Sequence, residues 1–245
     1  MKYFIYNANS ILISSDSDIN SDLIQLLSSL KSKIEIDYKE YLIDTVQSIN
    51  SLLVVFDSNK ISVDDFYIKV KSIKTGKTKN KLKSKIWEIP VCYDTFYASD
   101  LEEFSKSKNI SKEEVIQIHK SKVYDIMSMG FLPGFMYLGN TENRLHCERK
   151  LRPSLNVKKG SIGLALNQTC IYPQDSPGGW HIIGSSPLKF FDLKNELPCF
   201  ASPGDKIKFI EISKSKYESI KKRTTTKIGR SAPLVSNVYC QPYPN

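Results

Sequence analysis

Tyr172 to Gly184 reads YPQDSPGGWHIIG. Two prolines, a glycine pair and one of the chain's two tryptophans share this short stretch. Ser176 precedes a proline, which biases it toward an extended backbone. The Gly178–Gly179 pair lets the chain reverse, or run close to another backbone. Trp180 and His181 then open a strand and would point to opposite faces. So stiff a segment, set against so large an aromatic, reads either as a packed corner of β-structure or as the wall of a pocket.

The surroundings favour β-structure. From about residue 122, short apolar runs alternate with Gly, Pro, Asn and Asp: VYDIMSMGF, SIGLAL, CIYP, WHIIG, LKFFD and KIKFIEI. Short strands with turn chemistry between them point to a barrel or a sandwich. The companion stretch is GFLPGFMYLG, residues 130–139. There Gly130 and Gly134 permit close approaches, Pro133 stiffens the turn, and Phe131, Phe135 and Tyr137 recur at period two, as if lining one face. In NQTCIYP, residues 167–173, the Gln168 amide and Thr169 hydroxyl could orient a small polar ligand or cap a turn.

Upstream, KIWEIPVCY reads as a strand, followed by two short helices. SDLEEFSKS carries Ser99 and Glu102 in S-x-x-E spacing. SKEEVIQIH carries a capping box, Ser111 and Glu114, flanked by Ile110 and Val115 as a staple. Further back lies a small α+β pattern. KYFIY and SILIS read as strands. Leu23, Ile24, Leu26, Leu27 and Leu30 form a helical stripe capped by Asn20 or Ser21. SLLVVFD suits a buried strand, and Ser62 caps a helix with Asp64 and Asp65 in its first turn.

The formal net charge of +9 is concentrated. Residues 69–85 hold eight lysines and no acid, and residues 213–245 hold seven basic residues and one glutamate, so the rest of the chain is net acidic. A linker-like run and a tail are solvated segments more often than nucleic-acid surfaces. No apolar run has the length of a signal peptide or membrane span, so a cytoplasmic protein without membrane attachment is expected. Five scattered cysteines, none in C-x-x-C spacing, make a disulfide framework or a zinc site unexpected. His119 lies on the apolar side of a helix, which suits a packed core histidine. His146 beside Cys147 is not by adjacency a nucleophile–base pair. No Walker loop, G-x-S-x-G, G-x-G-x-x-G or H-E-x-x-H occurs.

Several motifs nevertheless occur in order: IPVCY (89–93), DLEE (100–103), EEVIQIH, GFLPGFMYLG, NQT-x-IYP, SPGGWHIIG and PGDKIKF (203–209). Together they resemble the PxpB/KipI family, whose members include the B subunit of 5-oxoprolinase, with similarity to allophanate hydrolase subunit 1. The resemblance covers residues 85–212 strongly and the first 80 weakly. It implies an α+β chain: a small N-terminal α+β domain (1–80), a C-terminal cyclophilin-like β-barrel domain (86–212) and a basic tail (213–245).

The resemblance also implies a non-autonomous subunit that cleaves 5-oxoproline to glutamate. ATP would be a co-substrate, and the partners PxpC/KipA-type and PxpA-type subunits. Its substrate-binding positions map onto Phe131, Pro133, Gly134, Phe135, Tyr137, Arg149, Gln168, Thr169, Tyr172, Ser176, Gly178, Gly179 and Trp180. No catalytic residue is assigned and no metal is expected. Four positions depart from the family pattern at the site. Ser154 and Ser185 stand where the family carries arginines, and Cys170 and Leu166 stand where it carries glycines. Arg144, Arg149 or Arg152 would have to supply the charge. Two other readings compete: a regulator that inhibits a histidine kinase without chemistry of its own, and a polyanion binder using the lysine-rich segments, which is the weaker.

Overall fold

The computed structural model describes residues 1–73 and 84–226. The chain divides into two units, Met1–Ser84 and Lys85–Asn245. Most of the lysine-rich run, and the outer part of the expected tail with Val235 to Asn245, lie outside the described residues.

The first unit contains β1 (Lys2–Asn7), β2 (Ser10–Ser14), α1 (Ser21–Asp37), β3 (Leu42–Gln47), β4 (Ser51–Phe56) and α2 (Val63–Lys71). The strands form one antiparallel sheet in the order β1-β2-β4-β3. The alternation of β2 and β4 sends Ile11, Ile13, Leu52, Val54 and Phe56 to one face. There they meet Leu27, Leu30 and Ile34 of α1 and Phe66 and Val70 of α2. Side chains of this size stabilise by roughly 1.5–3 kcal/mol each when fully buried. Asn20 is the N-cap of α1, its Oδ1 accepting from the Leu23 amide at 2.9 Å. Ser62 caps α2 through the Asp65 amide at 3.2 Å. Lys69 and Lys71, assigned from charge to a linker, are the basic last turn of α2. Strand β3 carries no clear period in sequence, because a bulge between Leu42 and Asp44 interrupts its alternation.

The second unit contains β5 (Ile86–Val91), α3 (Leu101–Ser107), α4 (Lys112–Ser121), β6 (Val123–Met129), β7 (Met136–Gly139), β8 (Ser154–Val157), β9 (Ser161–Ala165), β10 (Gln168–Ile171), β11 (Ser176–Gly178), β12 (His181–Ser185), β13 (Lys206–Glu211) and α5 (Lys214–Thr226). Seven strands form one sheet in the order β12-β9-β10-β7-β6-β13-β5, antiparallel except for the β13–β5 pair. The sheet curls until its two edges touch. Cys92, just after β5, pairs with Ser185 of β12. Inside lie Val91, Ile126, Leu138, Leu164, Ile171 and Phe209 with their neighbours. Strands β8 and β11 form a separate ribbon.

Three expectations need correction. Ser99 does not cap α3: the N-cap is Asp100, with no side-chain cap bond. Its carboxylate is engaged elsewhere, accepting from the Ile182 amide at 2.6 Å and pairing with Lys150 at 2.6 Å. The run LKFFD is not a strand; Phe190 is buried from an irregular segment. Residues 214–226, placed in a tail, form helix α5. Tyr217 and Ile220 are buried, and the Tyr217 ring lies 4.1 Å from that of Tyr97. Capping and pattern signals inside α5 are weak, because only these apolar residues anchor an otherwise basic helix. No helix among the described residues is long and apolar enough to cross a membrane.

Candidate functional site

Strand β10 faces two ways. Thr169 and Ile171 point into the curled sheet, whereas Cys170, and Tyr172 just beyond the strand, belong to a second cluster on its outer face. That outer cluster gathers Phe135, Val157, Ala165, Cys170, Tyr172, Trp180 and Ile182, with Tyr137 half-buried at its margin.

Phe135 is the hub. Its ring centroid lies 4.9 Å from Tyr172 edge-on, 4.7 Å from Tyr137, 6.3 Å from Trp180 and 5.5 Å from Phe131. Tyr137 and Trp180 are 6.0 Å apart. Such tilted and edge-on arrangements each stabilise by about 0.5–1.5 kcal/mol beyond burial.

The GFLPGF turn sets the hub in place. Pro133 and Gly134 occupy its centre, and the Phe135 amide closes it on the Leu132 carbonyl at 2.9 Å. Gly134 has φ +82°, and a Cβ there would come within 2.9 Å of Phe191 Cβ. Proline followed by a left-handed glycine is what a type II turn requires. Phe131 also has a positive φ, +70°, and is largely exposed. It is therefore not a strand residue alternating with Phe135, as the period-two reading had it. It sits strained at the turn and meets the hub edge-on. A bulky residue held there costs of order 1–3 kcal/mol.

Over this cluster lies Arg149. Its guanidinium carbon is 6.0 Å from the Trp180 ring, and it has no carboxylate partner among the described residues. Burial raises the pKa of Tyr137, Cys170 and Tyr172, and the Arg149 charge opposes each rise. Both tyrosines therefore stay protonated at neutral pH. The buried Ser176 hydroxyl has no hydrogen-bond partner, and the Tyr172 hydroxyl faces the Trp180 amide without reaching good hydrogen-bond geometry. Gly178 makes room for the second: a Cβ there would overlap the Tyr172 hydroxyl. Gly179 packs against the Arg149–Pro153 segment, its carbonyl accepting from the Lys150 amide at 2.8 Å.

Of the expected site residues, the structure brings together Phe131, Pro133, Gly134, Phe135, Tyr137, Arg149, Tyr172, Ser176, Gly178, Gly179 and Trp180. It separates two. Thr169 is wholly buried inside the sheet. Its hydroxyl donates to the Gly163 carbonyl at 3.1 Å and so accepts from His119 Nε2 at 3.0 Å, while His119 Nδ1 accepts from the Tyr93 hydroxyl at 2.8 Å. Burial lowers the His119 pKa to about 3, so the ring is a neutral tie between α4 and β10. Gln168 lies at the far end of β10 from Tyr172, its amide 3.5 Å from Met127 Sδ.

The departures also sort themselves. Cys170 fills space beneath the aromatic cluster. Ser185 does not face that cluster: its Oγ is 3.1 Å from the Tyr217 hydroxyl, under α5. Leu166 forms the β9–β10 turn at φ +55°. Among the candidate cations, Arg144 is engaged by Glu114 at 2.5 Å and Glu142 at 2.8 Å. A cation that sequence did not single out is Lys150, with Nζ 2.6 Å from Asp100 and 3.0 Å from Ser154 Oγ. Its partner is fifty positions away, so no local pattern marks it. No group of three or more His, Cys, Asp or Glu among the described residues could hold a metal ion.

Comparison with known proteins places this geometry. The family model for the carboxyltransferase domain, subdomain C and D, matches residues 1–201. The B subunit of 5-oxoprolinase from Bacillus subtilis (strain 168) is 40% identical over 144 residues, 59% of this chain and 60% of the relative. The protein of the same name from Escherichia coli O157:H7 is 38% identical over 128 residues, 52% of this chain and 59% of the relative. The chain thus spans about three fifths of the length of the curated relatives it matches. Among solved structures, TTHA0988 superposes with a TM-score of 0.75 at 26% identity, covering 84% of this chain and 40% of that one. The Kluyveromyces lactis urea carboxylase shares the fold, with a TM-score of 0.69 at 17% identity, over 90% of this chain and 22% of that one. The motif series and these matches agree: the chain belongs to the carboxyltransferase domain family, subdomain C and D, and within it to the PxpB family.

Proposed function

We propose that the chain is the B-type subunit of an ATP-dependent 5-oxoprolinase, acting in the cytoplasm with PxpA- and PxpC-type subunits. The observation that carries this reading is the unpaired Arg149 guanidinium held over Trp180 beside half-buried Tyr137. 5-Oxoproline is a small ring of methylenes bearing a carboxylate and a cyclic amide. Arg149 supplies a fork for the carboxylate. The exposed faces of the aromatic cluster take the methylenes. Tyr137, kept protonated by burial, is an O–H donor for the amide oxygen. Drawing electron density onto that oxygen makes the amide carbon easier for water to attack, and the ring C–N bond breaks with its nitrogen taking up a proton.

ATP belongs to the complete complex, and this chain's own part is to hold and polarise the cyclic amide. The cyclophilin-like name for the curled sheet belongs to the same reading. The enzyme is favoured over the kinase inhibitor because the relatives are named for the enzyme.

The test is oxoproline-dependent ATP hydrolysis by the A- and C-type subunits of the same organism, with and without this chain. Activity only in the complete mixture, with a higher oxoproline requirement in Arg149→Met, is the expected result. Equal turnover without the chain overturns the proposal.

A further inference from the structure

The sheet of the first unit has one covered face and one open face. Register places Phe4, Leu12, Leu53 and Val46 in a single row across all four strands on the open side. The row ends at β1, an edge strand of the sheet. The sequence of β1, KYFIYN, is unusual for a free edge. Phe4, Ile5 and Tyr6 are 48%, 46% and 66% exposed, there is no proline, and Lys2 is the only charge. Edge strands of single chains are ordinarily blunted by inward charges, prolines or brevity, because their unpaired N–H and C=O groups template another strand. The bulge in β1 falls only at its end, between Ile5 and Asn7.

We infer that β1 pairs antiparallel with β1 of a second copy of this chain, about a two-fold axis normal to the sheet. Three features select a second copy. An axis through Phe4 keeps both open faces on the same side, because paired residues then share parity: Phe4 meets Phe4, and Tyr3 meets Ile5. This register overlaps the strand from Lys2 to Tyr6 and sets Lys2 against Tyr6, so no like charges meet.

The third feature is α2, which packs over β1 and β2 and leaves Ile68 65% exposed. A two-fold normal to the sheet sets the two α2 helices antiparallel. Each carries Asp64 and Asp65 in its first turn and Lys69 and Lys71 in its last, so a two-fold that lays the helices side by side would set acids of one copy toward lysines of the other. The pairing is isologous and closes on itself, whereas β1 on the opposite edge β3 would propagate. Two short strands alone fall below the roughly 1,200 Å² of a standard interface, so the dimer is weak and concentration-dependent.

The experiment is sedimentation of the full chain through a dilution series, with circular dichroism confirming that each variant is folded. The expected result is a monomer–dimer equilibrium weakened at least about ten-fold by Phe4→Lys, which sets two ammonium groups on the axis. A second pair of variants does not touch the sheet. Reversing Asp64 and Asp65 to Lys weakens the dimer, and adding Lys69→Glu with Lys71→Glu restores it. Phe4→Cys yields a reducible dimer above the wild-type background. A chain that stays monomeric at every concentration, or a dimer indifferent to both Phe4→Lys and the helix reversal, overturns the inference.

Discussion

Cys92 and Ser185 exchange two backbone hydrogen bonds, at 2.8 and 3.0 Å, and so join the two edge strands of a seven-stranded sheet at a single residue pair. Closure at one pair is weak by itself. The seam is reinforced from outside, where Ser185 Oγ meets the Tyr217 hydroxyl of α5 and Tyr97 hydrogen-bonds Glu218.

Tyr217→Ala is therefore expected to destabilise the second unit by about 3–5 kcal/mol, as for other large buried aromatics. Tyr217→Phe, which loses only the hydroxyl contact, costs about 0.5–1.5 kcal/mol. Urea unfolding followed through tryptophan fluorescence reads the difference; both tryptophans, Trp87 and Trp180, lie in this unit. Equal effects from the two variants would remove the packing argument.

Gly178 and Tyr172 form a size-for-size pair, because a Cβ at the glycine overlaps the hydroxyl. Gly178→Ala alone should lower stability by about 1–3 kcal/mol, the usual range for overpacking. Tyr172→Phe alone should be near neutral, since the hydroxyl it removes makes no well-formed hydrogen bond. Combined, the phenylalanine should rescue most of the alanine defect. A strictly additive double mutant would show that the hydroxyl is not what the glycine accommodates.

His119 gives the fold an acid weakness. Its folded pKa, about 3, is depressed from the ordinary histidine value near 6.5, so the unfolded chain binds the extra proton first. Stability from this group is intact above about pH 6.5 and falls as pH drops toward 3, by up to about 1.4 kcal/mol per pH unit. His119→Gln should flatten that acid limb while lowering stability at neutral pH through the lost bonds to Tyr93 and Thr169. Unfolding midpoints between about pH 7 and pH 4 (roughly the window set by the two pKa values) decide it. An unchanged slope in the variant would place the acid sensitivity elsewhere.

Arg149 is exposed and unpaired, so its removal should be almost silent for stability, within about 0.5 kcal/mol. In the assembled complex, Arg149→Met should raise the concentration of oxoproline needed for half-maximal turnover by roughly 10- to 100-fold, the loss of a charge-assisted contact. Arg149→Lys should recover only part, because a point charge lacks the planar fork. Steady-state kinetics of ATP hydrolysis separate these cases.

Much of the candidate site's local geometry was legible because its residues fall in short, chemically emphatic stretches. A proline–glycine turn followed by aromatic Phe135 and Tyr137, and a glycine pair before Trp180, announce backbone geometry that few residues permit. What escaped was long-range. Asp100 looked like part of a helix start, yet its carboxylate serves Lys150 and the Ile182 amide. Thr169 looked like a ligand contact, but strand parity turned it inward to His119. Helix α5 was hidden within a basic segment because two buried residues, Tyr217 and Ile220, outweigh its charge only once the seam exists to receive them.

Strand β10 keeps two tenants on opposite sides of one backbone: the Thr169–His119 tie within and the Cys170–Tyr172 face without. The peptide plane between them acts as insulation. Outer residues can be exchanged for others of similar volume with little effect on the interior tie. A one-residue register slip would defeat that separation, bringing the hydroxyl out and the tyrosine in.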